Sequence, residues 1–316
     1  MAGIDLSNIV KSCTWGLIAI LSFTLNVLCL VVLRKAKDID KTSKIFLKSL
    51  TMADLMILFF RIIPAIGASA LNRWPYGDPL CLTNAMLAIV GMYAMYLSLL
   101  AVNIDRCFAI MYPLRYPILV NVKRTRIAAV SIWVFCTGLV VACSAVGNWD
   151  TVYLEDLHLC SFNATFLHGD GVLSASVLLI VTFYLPIVII IAICCCFVLV
   201  MMIVYRSKRR SRGSGMTINR NQSLQRNTKA ATTFFLMAMS QIVVNVPWII
   251  GALRESESSY AGFVSEILFS LSICWDVVVY YIRNRSFRKT MNGLFVSNHG
   301  ESRQHSFTLR TVGGGQ

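Results

Sequence analysis

The stretch Thr14-Trp15-Gly16-Leu17-Ile18-Ala19-Ile20-Leu21-Ser22-Phe23-Thr24-Leu25-Asn26-Val27-Leu28-Cys29-Leu30-Val31-Val32-Leu33 carries no charge, and Arg34, Lys35 and Lys37 follow it directly. An apolar helix of about 20 residues crosses the hydrocarbon core of a bilayer. A cleaved leader would place its basic residues before a shorter apolar run and offer a small-residue cleavage site. This stretch has neither feature, so it reads as an uncleaved first span with the N-terminus outside.

Six further stretches meet the same criterion, at about 49 to 70, 80 to 104, 127 to 147, 172 to 204, 230 to 253 and 261 to 282. The composition agrees: of 316 residues 57% are hydrophobic and 14% charged, with a mean hydropathy of +0.67. A soluble domain averages about 45–50% and about 25%. Disorder, collagen and a soluble nucleic-acid binder are excluded despite a net charge of +14. The expected fold is an all-α membrane protein, a seven-transmembrane helix bundle over 14–296. An extracellular N-terminus (1–13) precedes it, and a disordered cytoplasmic tail (297–316) follows. The fifth stretch exceeds the bilayer, so its inner end is expected to continue as helix into the cytoplasm.

Sorting the charges by segment supports this topology. Cytoplasmic segments hold 25 Lys/Arg against four acids, a net +21, and outer segments hold three basic residues against eight acids, a net −5. Arg61, Asp54, Glu266 and Asp276 remain within spans. Such asymmetry is the positive-inside pattern. The basic clusters Lys123-Arg124 and Lys208-Arg209-Arg210 admit two readings, attraction to inner-leaflet lipids or contact with a cytoplasmic protein. Of the cysteines, only Cys13, Cys81 and Cys160 face the oxidising side. Cys81 opens the third span and Cys160 lies mid-loop, so a disulfide between these two is expected. Asn163-Ala164-Thr165 on the same loop is an N-glycosylation sequon.

One marker falls in each span. They are Asn26; Leu50-Thr51-Met52-Ala53-Asp54; Ile104-Asp105-Arg106-Cys107 with Tyr112-Pro113-Leu114; Trp133; Pro186; Pro247; and Asp276-Val277-Val278-Val279-Tyr280. Phe287 follows Tyr280 at seven residues, and Trp74-Pro75-Tyr76-Gly77 precedes Cys81. The ordered set resembles the rhodopsin-like (class A) family of G-protein-coupled receptors over roughly residues 14 to 296. The resemblance implies a receptor without chemistry on a substrate, a plasma-membrane location, an extracellular ligand and a heterotrimeric G protein on the inner side. Arrestin and receptor kinases are implied as further partners. It assigns coupling and activation to Asp105, Arg106, Cys107, Pro247, Asp276 and Tyr280, with Arg106 held by Asp105 at rest. It places the ligand among Arg61, Ala88, Met92, Asn245, Trp248 and Glu266. Beyond Tyr280, the residues Phe287, Met291, Leu294 and Phe295 form one apolar stripe under a basic face, as expected of a short amphipathic helix over 285–296 lying on the inner leaflet.

The charges inside the spans are costly, about 2.5–3.5 kcal/mol each on insertion scales, and each invites a role. In the family layout the second and seventh helices are neighbours, which brings Arg61 toward Glu266. The pair either contacts a polar ligand or neutralises itself as a structural bridge. Asp54 in this family often helps hold a sodium ion. Here Met95, a non-ligand, stands at the supporting third-helix position, and Asp276 adds a second carboxylate. The two share a proton or recruit a cation.

Departures fall on the moving parts. Asn245 replaces the tryptophan usual above the sixth-helix proline, Gln241 stands where a phenylalanine usually packs, and Asp276-Val277 replaces Asn-Pro before Tyr280. Constitutive or G-protein-independent behaviour is therefore an alternative expectation. Ser270 at the retinal-lysine position argues against light sensing, and Ala88 in place of an aspartate argues against an ordinary amine. A peptide or small polar ligand is expected. A transporter or channel is the rival reading, opposed by the odd number of spans and the lack of an internal repeat. No metal or cofactor other than sodium near Asp54 is expected.

Overall fold

The computed structural model describes residues 6–147, 151–155, 157–162, 184–211, 218–254 and 259–295. Seven long helices dominate them. The first is Leu6–Lys35, the second runs Lys41–Leu71, and the third is Asp78–Met111. The fourth, fifth, sixth and seventh are Val122–Gly147, Leu185–Ser211, Ile218–Arg254 and Ser259–Arg283. Six of these, the sixth excepted, are long and apolar enough over the described residues to cross a membrane. The sixth begins with polar and basic turns and carries its apolar run beyond Lys229. The chain is thus a multi-pass membrane protein with a seven-helix bundle.

The first helix starts earlier than the apolar run, residues 6–13 adding two turns before it. Its inner end has Arg34 and Lys35 in the last turn, where cations meet the negative end of the helix dipole. Gly77, at φ +80°, gives the third helix its entry turn, and Pro79 occupies a first-turn position where its missing N–H costs nothing.

The second helix is continuous but not uniform. Between Lys41–Ile57 and Ile63–Leu71 the chain makes a π turn, Leu58–Ile62, closed by the Ile63 N–H donating to the Leu58 carbonyl. Pro64 follows it. A proline ring clashes with the carbonyl four residues back, here that of Phe60, and a widened turn relieves the clash.

The third helix is the axis of the bundle and packs on the second, fourth, fifth and sixth. Gly91 permits its close approach to the second helix. A Cβ there would lie 3.0 Å from Ile57 Cγ1 and 3.3 Å from the Ala53 carbonyl oxygen. Strands β1 (Thr151–Leu154) and β2 (Leu159–Phe162) form an antiparallel hairpin with Tyr153 opposite Cys160. The expected Cys81–Cys160 disulfide is formed and fixes that hairpin to the start of the third helix.

The segment 285–295 is helical, but its stripe does not face lipid throughout as the sequence suggests. Phe287 and Met291 are buried in the bundle core, with the Phe287 ring edge-on to Tyr280 at 4.9 Å, and only Phe295 is fully open. Asn163 and the tail 297–316 lie outside the described residues.

Candidate functional site

Three polar clusters are stacked along the bundle. At the inner end, Arg106 is 2% exposed and carries an unusually full set of partners. Asp105 Oδ2 accepts from Arg106 Nη2 at 2.5 Å and from Nε at 3.1 Å. Arg106 Nη1 donates to Asp40 Oδ2 at 2.8 Å, and Nη2 donates to the Tyr116 hydroxyl at 3.1 Å. That hydroxyl donates in turn to Asp105 Oδ1 at 2.8 Å. Burial pushes the Tyr116 phenol up to about 12, so it keeps its proton and its donor role at any physiological pH. Asp40 also faces Arg226 of the sixth helix, Nη2 to Oδ1 at 3.5 Å. Neighbouring Asp38 accepts from Arg226 Nη2 through its carbonyl at 2.9 Å and from the Ser286 hydroxyl through its carboxylate at 3.4 Å. The loop between the first and second helices therefore clasps the third helix, the sixth helix and the eighth helix, 285–295, together. Cys107, beside Arg106, is buried with its thiol donating to the Cys196 carbonyl of the fifth helix at 3.3 Å.

The middle cluster lies around the buried carboxylates Asp54 (1% exposed) and Asp276 (2%). Gln241 Nε2 donates to Asp276 Oδ2 at 3.3 Å, which gives this glutamine, in a phenylalanine's usual place, a definite polar partner. Asn26 Nδ2 donates to the Ser22 and Ile273 carbonyls at 3.0 and 3.4 Å, tying the first helix to the seventh. Asn26 Oδ1, Asp54 Oδ1 and Asp276 Oδ1 are buried without a hydrogen-bond partner. Unsatisfied oxygens at this depth are expensive, and hard oxygen donors are what a small cation takes. The donor chemistry of these three oxygens is that of a small-cation ligand set, whereas the thioether of Met95 on the third helix is not a ligand for such an ion. Tyr280, below this cluster, is buried and accepts from Asn284 Nδ2 at 2.9 Å.

In the outer half, Arg61 Nη2 donates to Glu266 Oε2 at 2.6 Å and Nε to the same oxygen at 3.3 Å. The expected second-to-seventh helix pair is thus formed, and the Phe269 ring lies 5.6 Å from the Arg61 guanidinium carbon. Arg61 sits in the π turn, so the two-turn ladder from Asp54 that ideal helix geometry suggests is interrupted beneath it. Ala88 is buried and Met92 half-buried on the third helix. Asn245, Pro247 and Trp248 belong to the sixth helix, and their side chains lie outside the described residues.

Over residues 25–278 the chain matches the sequence profile of the 7 transmembrane receptor (rhodopsin family). The chain belongs to the rhodopsin family of seven-transmembrane receptors. Among curated relatives, the growth hormone secretagogue receptor type 1 of Oryctolagus cuniculus is 23% identical over 279 residues, 83% of this chain and 74% of the relative. The lysophosphatidic acid receptor 6 of Mus musculus is 26% identical over 149 residues, 46% of this chain and 40% of the relative. Squid rhodopsin superposes with a TM-score of 0.79 at 16% identity, covering 91% of this chain and 85% of that one. This last likeness concerns the fold alone.

As a member of a receptor family, the protein is not an enzyme. Two parts of the receptor's polar network escape sequence reading. Asp40 and Asp38 sit in a short loop where no periodicity marks a partner. The outer clasp is equally hidden: His158, buried in the hairpin, meets the Tyr153 hydroxyl at 3.0 Å and Lys11 Nζ at 3.3 Å. The Trp133 indole donating to the Ser49 hydroxyl at 3.0 Å, itself 2.9 Å from the Ser98 hydroxyl, joins the fourth helix to the second and third.

Proposed function

We propose that this receptor sits in the plasma membrane with its N-terminus outside, binds an extracellular peptide or small polar ligand between the outer halves of its helices, and signals through a heterotrimeric G protein. The observation that carries the reading is Arg106. A guanidinium buried to 2% and held by two carboxylates at the inner end of the bundle is a charge stored where a cytoplasmic partner must dock. Breaking a buried pair by removing one partner costs about 3–5 kcal/mol, so Arg106 leaves this pocket only when replacement acceptors arrive with the partner. The +21 inner surface favours acidic cytoplasmic partners and inner-leaflet lipids alike. Arrestin and receptor kinases would meet the same face.

The test is a panel of G-protein activation reporters in cells, run without ligand and then against peptide and metabolite libraries, with Arg106→Ala as the control. Signalling that vanishes in Arg106→Ala at equal surface expression supports the reading. Silence of the wild type against every G protein and library would sink the coupling half of it.

The same reading places a sodium ion at Asp54 and Asp276, with the Asn26 carbonyl oxygen as a third donor. The support is the three buried oxygens that lack partners. Purified receptor should melt about 2–4 °C higher in sodium than in N-methylglucamine at equal ionic strength, and Asp54→Asn should abolish the difference. Equal melting in both salts counts against the ion and for a shared proton.

A further inference from the structure

The ion pair between the second and seventh helices is lopsided. Glu266 is 1% exposed, while 22% of the Arg61 side chain is open. Of the two groups, the cation is the one left open to a further contact. Ordinarily a buried acid in a receptor pocket invites an amine ligand; this one is already paired with Arg61.

The hydrogen-bond geometry shows what Arg61 still offers. A guanidinium carries five N–H donors in a rigid plane. Glu266 takes one from Nε and one from Nη2 on a single oxygen, which occupies the side-on edge. Nη1 makes no hydrogen bond among the described residues, and with the second N–H of Nη2 it forms an intact end-on fork. That fork has the spacing of a carboxylate or phosphate. The Phe269 ring, 5.6 Å from Cζ, steadies the guanidinium by a cation–π contact. Independently, Arg61 is carried by the π turn Leu58–Ile62, a local distortion that recurs at functional sites.

We propose that Arg61 is the anion-recognising group of the ligand site and takes the free C-terminal carboxylate of a basic peptide, an inference that rests on the receptor reading above. The carboxylate follows from the open fork. The basic peptide follows from the outer charge, eight acids against three basic residues. Such an excess of acids favours a cationic chain over a bare anion of the same fit, and the chain then brings its carboxylate to Arg61. Glu266 is the positioning residue that holds the fork in one orientation.

The test uses purified full-length receptor in nanodiscs, without G protein, so that its outcome is independent of the coupling experiment. The probes are acetate and sulfate against chloride at matched ionic strength, and basic peptides made in free-acid and C-terminal amide forms. The wild type should be stabilised by acetate, and by free-acid peptides about 2–4 °C more than by their amides. Arg61→Gln should lose both effects, and Arg61→Lys should keep a reduced one because it retains charge without the fork. Glu266→Gln keeps the fork's charge but loosens its hold, so it should keep a reduced free-acid preference. Because Arg61→Gln strands Glu266, the double variant Arg61→Gln/Glu266→Gln is measured alongside it; it removes both charges and should show no anion effect in a folded protein. Equal stabilisation by acids and amides, or an acid preference surviving in the double variant, would overturn the proposal. A response to lysophosphatidate vesicles with none to acetate or peptides would replace the peptide by a lipid phosphate and overturn it equally.

Discussion

At the scale of single residues, the inner latch is more elaborate than a neighbouring acid and base. Asp105 and Arg106 are adjacent in a recognisable run, so their pairing is legible in the sequence. Asp40 is not, because it lies 66 residues away in a loop and only packing selects it over Asp38 for the guanidinium. Asp40 is 43% exposed, so its contact with Arg106 is partly screened and worth about 0.5–1 kcal/mol. Asp40→Asn should therefore raise ligand-independent G-protein activation about two- to five-fold at equal surface expression. Arg226→Gln, which removes a 65% exposed group 3.5 Å from Asp40, should change it less. Equal basal activity in wild type and Asp40→Asn would show that Asp105 holds Arg106 alone.

At the scale of elements, apolar length revealed the spans, whereas their distortions and facing were hidden. Pro64 announces a bend in the second helix but not whether the chain kinks or widens. The π turn relieves the clash of Pro64 with the Phe60 carbonyl, which is not a periodic signal. The eighth helix makes the same point: its stripe was readable, but whether Phe287 faced lipid or Tyr280 depended on how the chain leaves Asn284. Packing between the second and third helices is tight enough to test. Gly91→Ala sets a methyl 3.3 Å from a backbone oxygen that cannot rotate away. It should destabilise the bundle by about 1–3 kcal/mol, read as a lower melting temperature of purified receptor. Gly138→Ala, with open space around it, should leave melting unchanged.

At the scale of the whole molecule, the spans were legible because the thickness of the bilayer sets their length. The polar column through the bundle was legible only as a set of positions, since which carboxylate meets which donor is decided by helix rotation. The outer cap depends on a covalent tie as well as on packing. Cys81→Ser/Cys160→Ser should cost about 2–4 kcal/mol and lower ligand response more than basal coupling, since the hairpin it frees lies at the end of the bundle opposite Arg106. Equal loss of both would mean that the bridge serves the fold generally. The sharing of Asp40 between two arginines has a temporal consequence. Arg226 is exposed and distant, Arg106 buried and close, so on the proposed reading a movement of the sixth helix away from the loop would break the weaker contact first and leave Asp40 undivided on Arg106. Activation would then run in two stages, with a waypoint in which the helix has moved and Arg106 is still capped. A fluorophore on the sixth helix should report movement before the G protein can bind, and the lag should shorten in Asp40→Asn, where Asp105 alone holds Arg106.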